Sequence, residues 1–213
     1  AAYFACKKAC EPLHIQWNPL SDSIEVVNYS VPHADGLTAS MALLNLDGTV
    51  KLQKQVRIDC PVDTLLRCFA VPRVDGLTEV SFIRLSLKRG DRMISENFYW
   101  RGLKGDDVRA VRNLPKVKLA IRTEATRKGN QWNLLTTLTN RTRYPALMVK
   151  LTVIGSKGRQ RELPVIYSDN FVSLMPGESR TITMGVLEAD TRGDTPDVVV
   201  EGLNIQSMPG AMP

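Results

Sequence analysis

After Pro19 apolar and polar residues alternate largely at period two, with one interruption, to the end of the chain; that pattern sets strands and cannot bury one face of a helix. "SIEVVNYS" (23–30), "LTASMALLNLDGT" (37–49) and "TEVSFIRLSLKRGD" (78–91) each offer one apolar face. In the third, Val80, Phe82 or Ile83, Leu85 and Leu87 are set to point inward. Asp47-Gly48 and Arg89-Gly90-Asp91 carry hairpin turn chemistry. "PVDTLLRCFAVP" lies between Pro61 and Pro72, which suit a strand end or a sheet edge but not a central ladder. The alternation resumes in "KVKLAIRTEAT", "NQWNLLTTLTNRT", "ALMVKLTVIGSKG", "SRTITMGVLEA" and "PDVVVEGLNIQ". Only the opening, about residues 3–11, reads as helix: Tyr3, Cys6, Lys7 and Cys10 recur at helical spacing and Pro12 stops it.

The interruption, "RGLKGDDVRAVRNLPK" (101–116), joins two glycines, a charge cluster and a proline, and reads as a linker. A chain of 213 residues accommodates two domains of about 100. A weak internal repeat supports that division. "IEVVNYS" with "LTASMALLNLDG" matches "LLTTLTNRT" with "ALMVKLTVIGSKG": a strand ending in Asn-x-Ser/Thr, then a strand ending in a Gly turn. "SENFYW" and "SDNFVS" are also alike, though they need not share a strand position. Roughly seven short strands per half predict an all-β fold: two tandem immunoglobulin-like β-sandwiches with a short N-terminal helical segment. The boundaries predicted are 1–17 for the entry segment, 18–105 for the first sandwich and 106–213 for the second. The predicted core holds Val26, Met41, Leu43, Phe82 or Ile83, Leu85, Trp132, Leu134, Val149, Leu151 and Val153.

Catalytic signatures are sought and not found. "YSDNFVSLMPGESRTITM" (167–184) gathers Ser168, Asp169 and Glu178, but no histidine follows His33 to complete a triad. With Pro176-Gly177 as a turn, it reads as strand, loop, strand. Asp106-Asp107 are adjacent in the linker, whereas a glycosidase sets two carboxylates across a sugar. No phosphate-binding Gly loop, H-E-x-x-H or G-x-S-x-G occurs. Cys6, Cys10, Cys60 and Cys68 form no C-x-x-C pair, and His14 and His33 are the only histidines to join them, which argues against zinc and for small buried hydrophobes. A Cys60–Cys68 disulfide stays open for an exported protein. Predicted catalytic residues, metal ligands and cofactors are therefore none, and substrate-binding residues are unknown.

No run approaches the roughly 20 apolar residues of a membrane span, so a soluble chain is expected. Between Arg109 and Arg161 stand 13 basic residues against one acid, Glu124. A solvated basic face is the usual reason for such a run, and an anionic partner the sharper one. Lys116, Lys118 and Arg122 would share one side of a period-two strand and gather part of that charge into a patch. Aromatic residues are 6% of the chain, few for a sugar-stacking surface. In "ENFYW", Phe98 and Trp100 share a face and Tyr99 takes the other, which suits core plus one exposed ring; Trp132 reads as core, and Trp17 is placed to pack at a domain junction. Asn28-Tyr29-Ser30 and Asn140-Arg141-Thr142 match the glycosylation sequon, yet at strand ends Asn commonly serves the turn.

"YFACKKACEPLHIQWN", "ISENFYW" and "LPVIYSDNFVSLMPGESRTITM" together resemble the C-terminal part of glycoside hydrolase family 2 enzymes, in the β-mannosidase and exo-β-D-glucosaminidase branch. In the first motif Lys7, Lys8, Glu11, Pro12, Leu13 and His14 match the run that leaves the last helix of the catalytic barrel. The resemblance spans about residues 3–205. It implies a parent that hydrolyses O-glycosyl bonds of β-linked sugars with two glutamates in a barrel N-terminal to residue 1, so no catalytic residue carries over to this chain. Residues 1–17 would then be the barrel's tail and a connector, and the partners would be the parent's own barrel and, through it, a β-linked glycan, with no nucleic acid. The first residues lack an initiator Met and an apolar targeting segment, in keeping with a piece of a longer protein. A bacterial parent that degrades polysaccharide would work in the periplasm or outside the cell. The competing reading is an independent carbohydrate-binding or adhesion module of two immunoglobulin-like domains, which leaves the helical entry without a use. A basic patch near the cleft would repel protonated chitosan, and on that ground the reading leans to the mannoside.

Overall fold

A computed structural model of the chain describes residues 1–206; the last seven residues assigned above to the second sandwich lie outside them. The chain forms two compact units that divide between Asn113 and Leu114.

In the first unit the helix α1 (Ala2–Ala9) precedes seven strands: β1 (Leu13–Asn18), β2 (Ser23–Asn28), β3 (Leu37–Asn45), β4 (Val50–Ile58), β5 (Thr64–Ala70), β6 (Val80–Arg89) and β7 (Arg92–Gly102). A three-stranded sheet runs β1-β2-β5 and a four-stranded sheet runs β4-β3-β6-β7, every pair antiparallel. Alternation does what its period requires. Ile15, Ile24 and Val26 of one sheet meet Leu37, Ala39, Met41, Leu43, Ile83, Leu85 and Leu87 of the other in one core. The hairpins β3–β4 and β6–β7 turn at Gly48 (φ 89°) and Gly90 (φ 55°), left-handed conformations open to glycine without strain. A 3-10 turn at Arg109–Asn113 packs against β6 and buries Val111.

The second unit repeats the plan with β8 (Ala120–Lys128), β9 (Gln131–Thr139), β10 (Ala146–Gly155), β11 (Ile166–Tyr167), β12 (Val172–Leu174), β13 (Ser179–Leu187) and β14 (Pro196–Glu201). Its four-stranded sheet runs β11-β13-β9-β8 and its three-stranded sheet β12-β10-β14. Leu134, Leu138, Val149, Leu151, Val153, Ile182 and Met184 fill the space between them. Each unit is thus an antiparallel immunoglobulin-like sandwich.

The internal repeat has a structural meaning. Asn28 at the end of β2 and Asn140 just after β9 are both fully buried, and each amide crosses to the opposite sheet's connections. Asn28 Nδ2 donates to the carbonyls of Val31 and Cys60, at 2.8 Å each. Asn140 Nδ2 donates to those of Tyr144 and Leu174, at 2.8 and 3.0 Å. The side-chain oxygens accept from Val31 N and Thr142 N, so both amides close the turn that follows.

The structure corrects several expectations. Residues 1–17 are not all connector, because Leu13–Asn18 is the edge strand β1, with Leu13 and Ile15 buried; alternation already begins at Leu13, between Pro12 and Pro19. The parity of "ENFYW" holds but its faces are exchanged. Tyr99 packs into the core, while Phe98 and Trp100 lie on the outer face beside Phe82, whose ring stands 5.1 Å from that of Phe98. Both Phe82 and Ile83 are fully buried, one on each face of β6. Trp17 packs within the first sandwich, edge-on to Tyr99, with its indole N–H donating to Asp22 at 2.9 Å. Cys60 and Cys68 are free thiols, and of the four cysteines read as buried only Cys60 is fully so, Cys6 and Cys10 being exposed on the short entry helix and its end. The remaining predicted core residues are buried, apart from Trp132, which packs half-buried against the second core.

Candidate functional site

The polar residues of 167–184 serve the fold. Ser168 Oγ accepts from Thr183 N at 3.0 Å, Asp169 pairs with Arg180 at 3.1 Å, and Glu178 Oε2 accepts from Met175 N at 2.9 Å to close the turn before β13. The segment is strand, loop and strand with one refinement: β11 and β12 belong to different sheets, so the chain crosses the sandwich between them. Asp107 is exposed, and hydrogen bonds from the Arg109 side chain hold its carboxyl far below the usual carboxylate range. Among the described residues no group of three His, Cys, Asp or Glu side chains is placed to hold a metal ion.

What the first sandwich does build is a polar clasp under α1. Glu11, just past the helix, accepts from Ser95 Oγ at 2.6 Å and from Lys8 Nζ at 3.0 Å, and lies 3.4 Å from His14 Nδ1. Asn97 Nδ2 donates to the Ile15 carbonyl at 2.7 Å and meets His14 Nε2 at 3.2 Å. With Nε2 receiving that amide proton, the imidazole carries its own on Nδ1 and directs it at Glu11. Ile15 N closes the circuit by donating to Ser95 Oγ at 3.2 Å. Ser95 and His14 are buried, so α1, β1 and β7 are tied to one another through a partly buried network of hydrogen bonds. Burial pushes the Glu11 carboxyl up, but the bonds from His14, Ser95 and Lys8 outweigh it and hold the group below its ordinary value.

The helix so held buries none of its own residues. Phe4 and Lys8 are half-buried toward the sandwich, while the stripe Tyr3, Cys6, Cys10 is exposed, Tyr3 at 70%. An eight-residue helix is too short to be stable in water by its own hydrogen bonds, and an apolar stripe on it suits a covering surface. Lys8, Glu11 and His14 stood out in the sequence; Ser95 and Asn97 lie in "ISENFYW", a motif noted there as a repeat and as part of the family resemblance but not as a partner of the entry segment.

Part of the basic stretch is paired with acids. Arg109 pairs with Asp107, Arg122 with Glu124, Arg127 with Glu188, Lys150 with Glu201 and Arg159 with Asp197, three of those acids standing beyond residue 161. Lys116 and Lys118 precede β8 instead of lining it, and Lys116 Nζ donates to the Leu203 carbonyl. Lys116, Lys118 and Arg122 are all exposed, with Val117 and Leu119 buried between and beside the lysines, and no structural observation ties these charges to a choice of sugar.

The Ig-fold domain of exo-beta-D-glucosaminidase matches residues 97–205 of the chain. The chain belongs to that family. Over 99% of its length it is 34% identical to the exo-beta-D-glucosaminidase of Streptomyces avermitilis, of which it spans 26%. A mannosylglycoprotein endo-beta-mannosidase of Lilium longiflorum is 23% identical over 96% of the chain, which covers 28% of it. The crystal structure of the Amycolatopsis orientalis exo-chitosanase CsxA superposes with a TM-score of 0.89 at 29% identity, over 97% of this chain and 27% of that one. The chain therefore spans about a quarter of the length of these relatives, and it is similar to the immunoglobulin-like region of family 2 exo-glucosaminidases and mannosidases.

Proposed function

We propose that the chain is a non-catalytic accessory region of a family 2 glycoside hydrolase that acts on β-glucosaminides or β-mannosides, and that it supports the enzyme's catalytic barrel. The observation that carries this reading is α1: a helix too short to stand alone, locked to the sandwich by Glu11, His14, Ser95 and Asn97, with an apolar stripe turned outward. The stripe is the contact offered to the barrel, and the clasp sets the angle at which the sandwiches leave it. The relatives' length, about four times that of this chain, supplies room for such a barrel. Of the two sugars the family favours the β-glucosaminide. Of the tryptophans, Trp17 and Trp132 pack against the cores, while Trp100 lies with Phe98 on the outer face of β7.

The test is complementation. The purified chain should leave aryl β-glucosaminides and β-mannosides intact, and a barrel region expressed without it should be unstable or inactive until the chain is added. Turnover by the chain alone, or a barrel indifferent to it, would overturn the reading.

A further inference from the structure

The outer face of β1-β2-β5 changes character along its length. Toward the middle it is polar and satisfied: the rung Gln16–Glu25–Arg67 crosses it, and Gln16, Asn18 and Ser23 all donate to Glu25. One rung nearer the start of β1 it turns apolar. His14, Val27 and Leu65 stand side by side there, and Tyr29 follows Val27 on the same face. The opposite face of these strands holds Ile15, Ile24 and Val26 in the core, so the four residues point away from it. The clasp buries His14, but its neighbours stay open: Val27 is half-buried, Leu65 is 58% exposed and Tyr29 76%. Leu65 belongs to β5, an edge strand of the sheet, where an open apolar side chain is a liability unless something covers it. This corner is also where the chain enters the sandwich. Tyr29 N donates to the carbonyl of exposed Pro12 at 2.8 Å, three residues past the end of α1.

We infer that the corner formed by Pro12, Val27, Tyr29 and Leu65 is a second contact for the catalytic barrel, beside the stripe on α1. It rests on the accessory role proposed above and carries the contact from the helix onto the sandwich itself. The family's members are about four times as long as this chain, which corresponds to their C-terminal region, so the rest of the parent joins at Ala1 and reaches this corner first. The helix alone is a small anchor. Eight residues make a rod about 12 Å long, and one side of it is slight against the roughly 600–1,500 Å² that domains of one chain bury between them. The corner adds apolar surface at the foot of that rod, and the satisfied polar rung at Glu25 bounds it as a rim bounds a contact.

Carbene footprinting of side chains, read by mass spectrometry, tests it by comparing the chain alone with the longer enzyme proposed above. Labelling of Tyr29 and Leu65 should fall at least about fivefold in the longer enzyme, while Leu20, 98% exposed at the far end of the β1–β2 hairpin, should not change. Leu65→Lys with Tyr29→Lys should lower the Tm of the longer enzyme by roughly 3 °C or more and that of the chain alone by less than about 1 °C. Equal labelling of Tyr29 and Leu65 in the two proteins, a loss shared equally by Leu20, or the same Tm change in both would each overturn the inference. Shielding of Tyr3 without Tyr29 and Leu65 would sink this contact and leave the accessory reading standing; exposure of all three would sink both.

Discussion

Removing the Glu11 carboxylate should unlock the entry segment. Glu11→Ala takes away the acceptor of Ser95 Oγ, the charge partner of Lys8 and the acceptor facing His14 Nδ1. Lys8 and Glu11 keep a quarter to a third of their side-chain surface exposed, so their ion pair contributes at most about 1 kcal/mol. The bond from buried Ser95 to a carboxylate contributes about 1.5–3 kcal/mol, and its loss strands a hydroxyl away from water. A total of about 2–3 kcal/mol is expected, which for a unit of this size lowers Tm by roughly 10 °C. Differential scanning calorimetry should show the first sandwich's transition falling by that amount while the second stays in place. Hydrogen exchange should rise at Ile15 and along α1. Because the folded carboxyl sits below its ordinary value of 4.5, its contribution is present above that pH and is lost as pH falls through the folded value. The wild type should therefore lose stability on acidification below about pH 4.5 more steeply than Glu11→Gln. A Tm change under 2 °C, with α1 exchange unaltered, would refute the clasp.

Other substitutions probe the frame. Gly102→Ala should destabilise the first sandwich by about 2 kcal/mol in a denaturant titration, because a Cβ there would stand 2.6 Å from the backbone carbonyl oxygens of Gly105 and Asp107. Asn28→Ala and Asn140→Ala should each lower the stability of their own sandwich by about 2–3 kcal/mol by stranding buried backbone groups, and mass spectrometry after secretion from a glycosylating host should find both asparagines bare. Lys54 points inward from the edge strand β4, with its ammonium 4.9 Å from the centre of the Phe69 ring; Lys54→Val should leave a flat apolar edge and cause concentration-dependent association in analytical ultracentrifugation. A thiol reagent at pH 8 should label Cys6 and Cys10 at once and leave Cys60 and Cys68 slow, since burial pushes the Cys60 thiol up and that of Cys68 to about 11.

The period-two pattern made the sandwiches legible because each sheet buries one face, so Val26, Met41, Leu85 and Val153 could be placed from spacing alone. The pattern failed where both faces are covered. Alternation cannot tell which side of β6 is inner when Phe82 and Ile83 are both buried, and the rings of "ENFYW" were assigned to the wrong faces for the same reason. The basic run overstates the local charge because counting along the chain ignores partners such as Glu188, Asp197 and Glu201, which only folding brings near. The clasp was half legible. Lys8, Glu11 and His14 lie within seven residues, but Ser95 and Asn97 stand some 80 residues away, and their motif does not reveal that they meet Glu11 and His14.

The central claim is that α1 is a docking element covered by a catalytic barrel. Hydrogen exchange of the α1 amides, compared between this chain alone and the longer enzyme proposed here, addresses it most directly. The account predicts that residues 2–9 exchange at least 100-fold more slowly in the longer enzyme than in the isolated chain, where the clasp alone protects them, with Tyr3, Cys6 and Cys10 shielded there. Equal exchange in the two, or a helix already fully protected in the isolated chain, would contradict it.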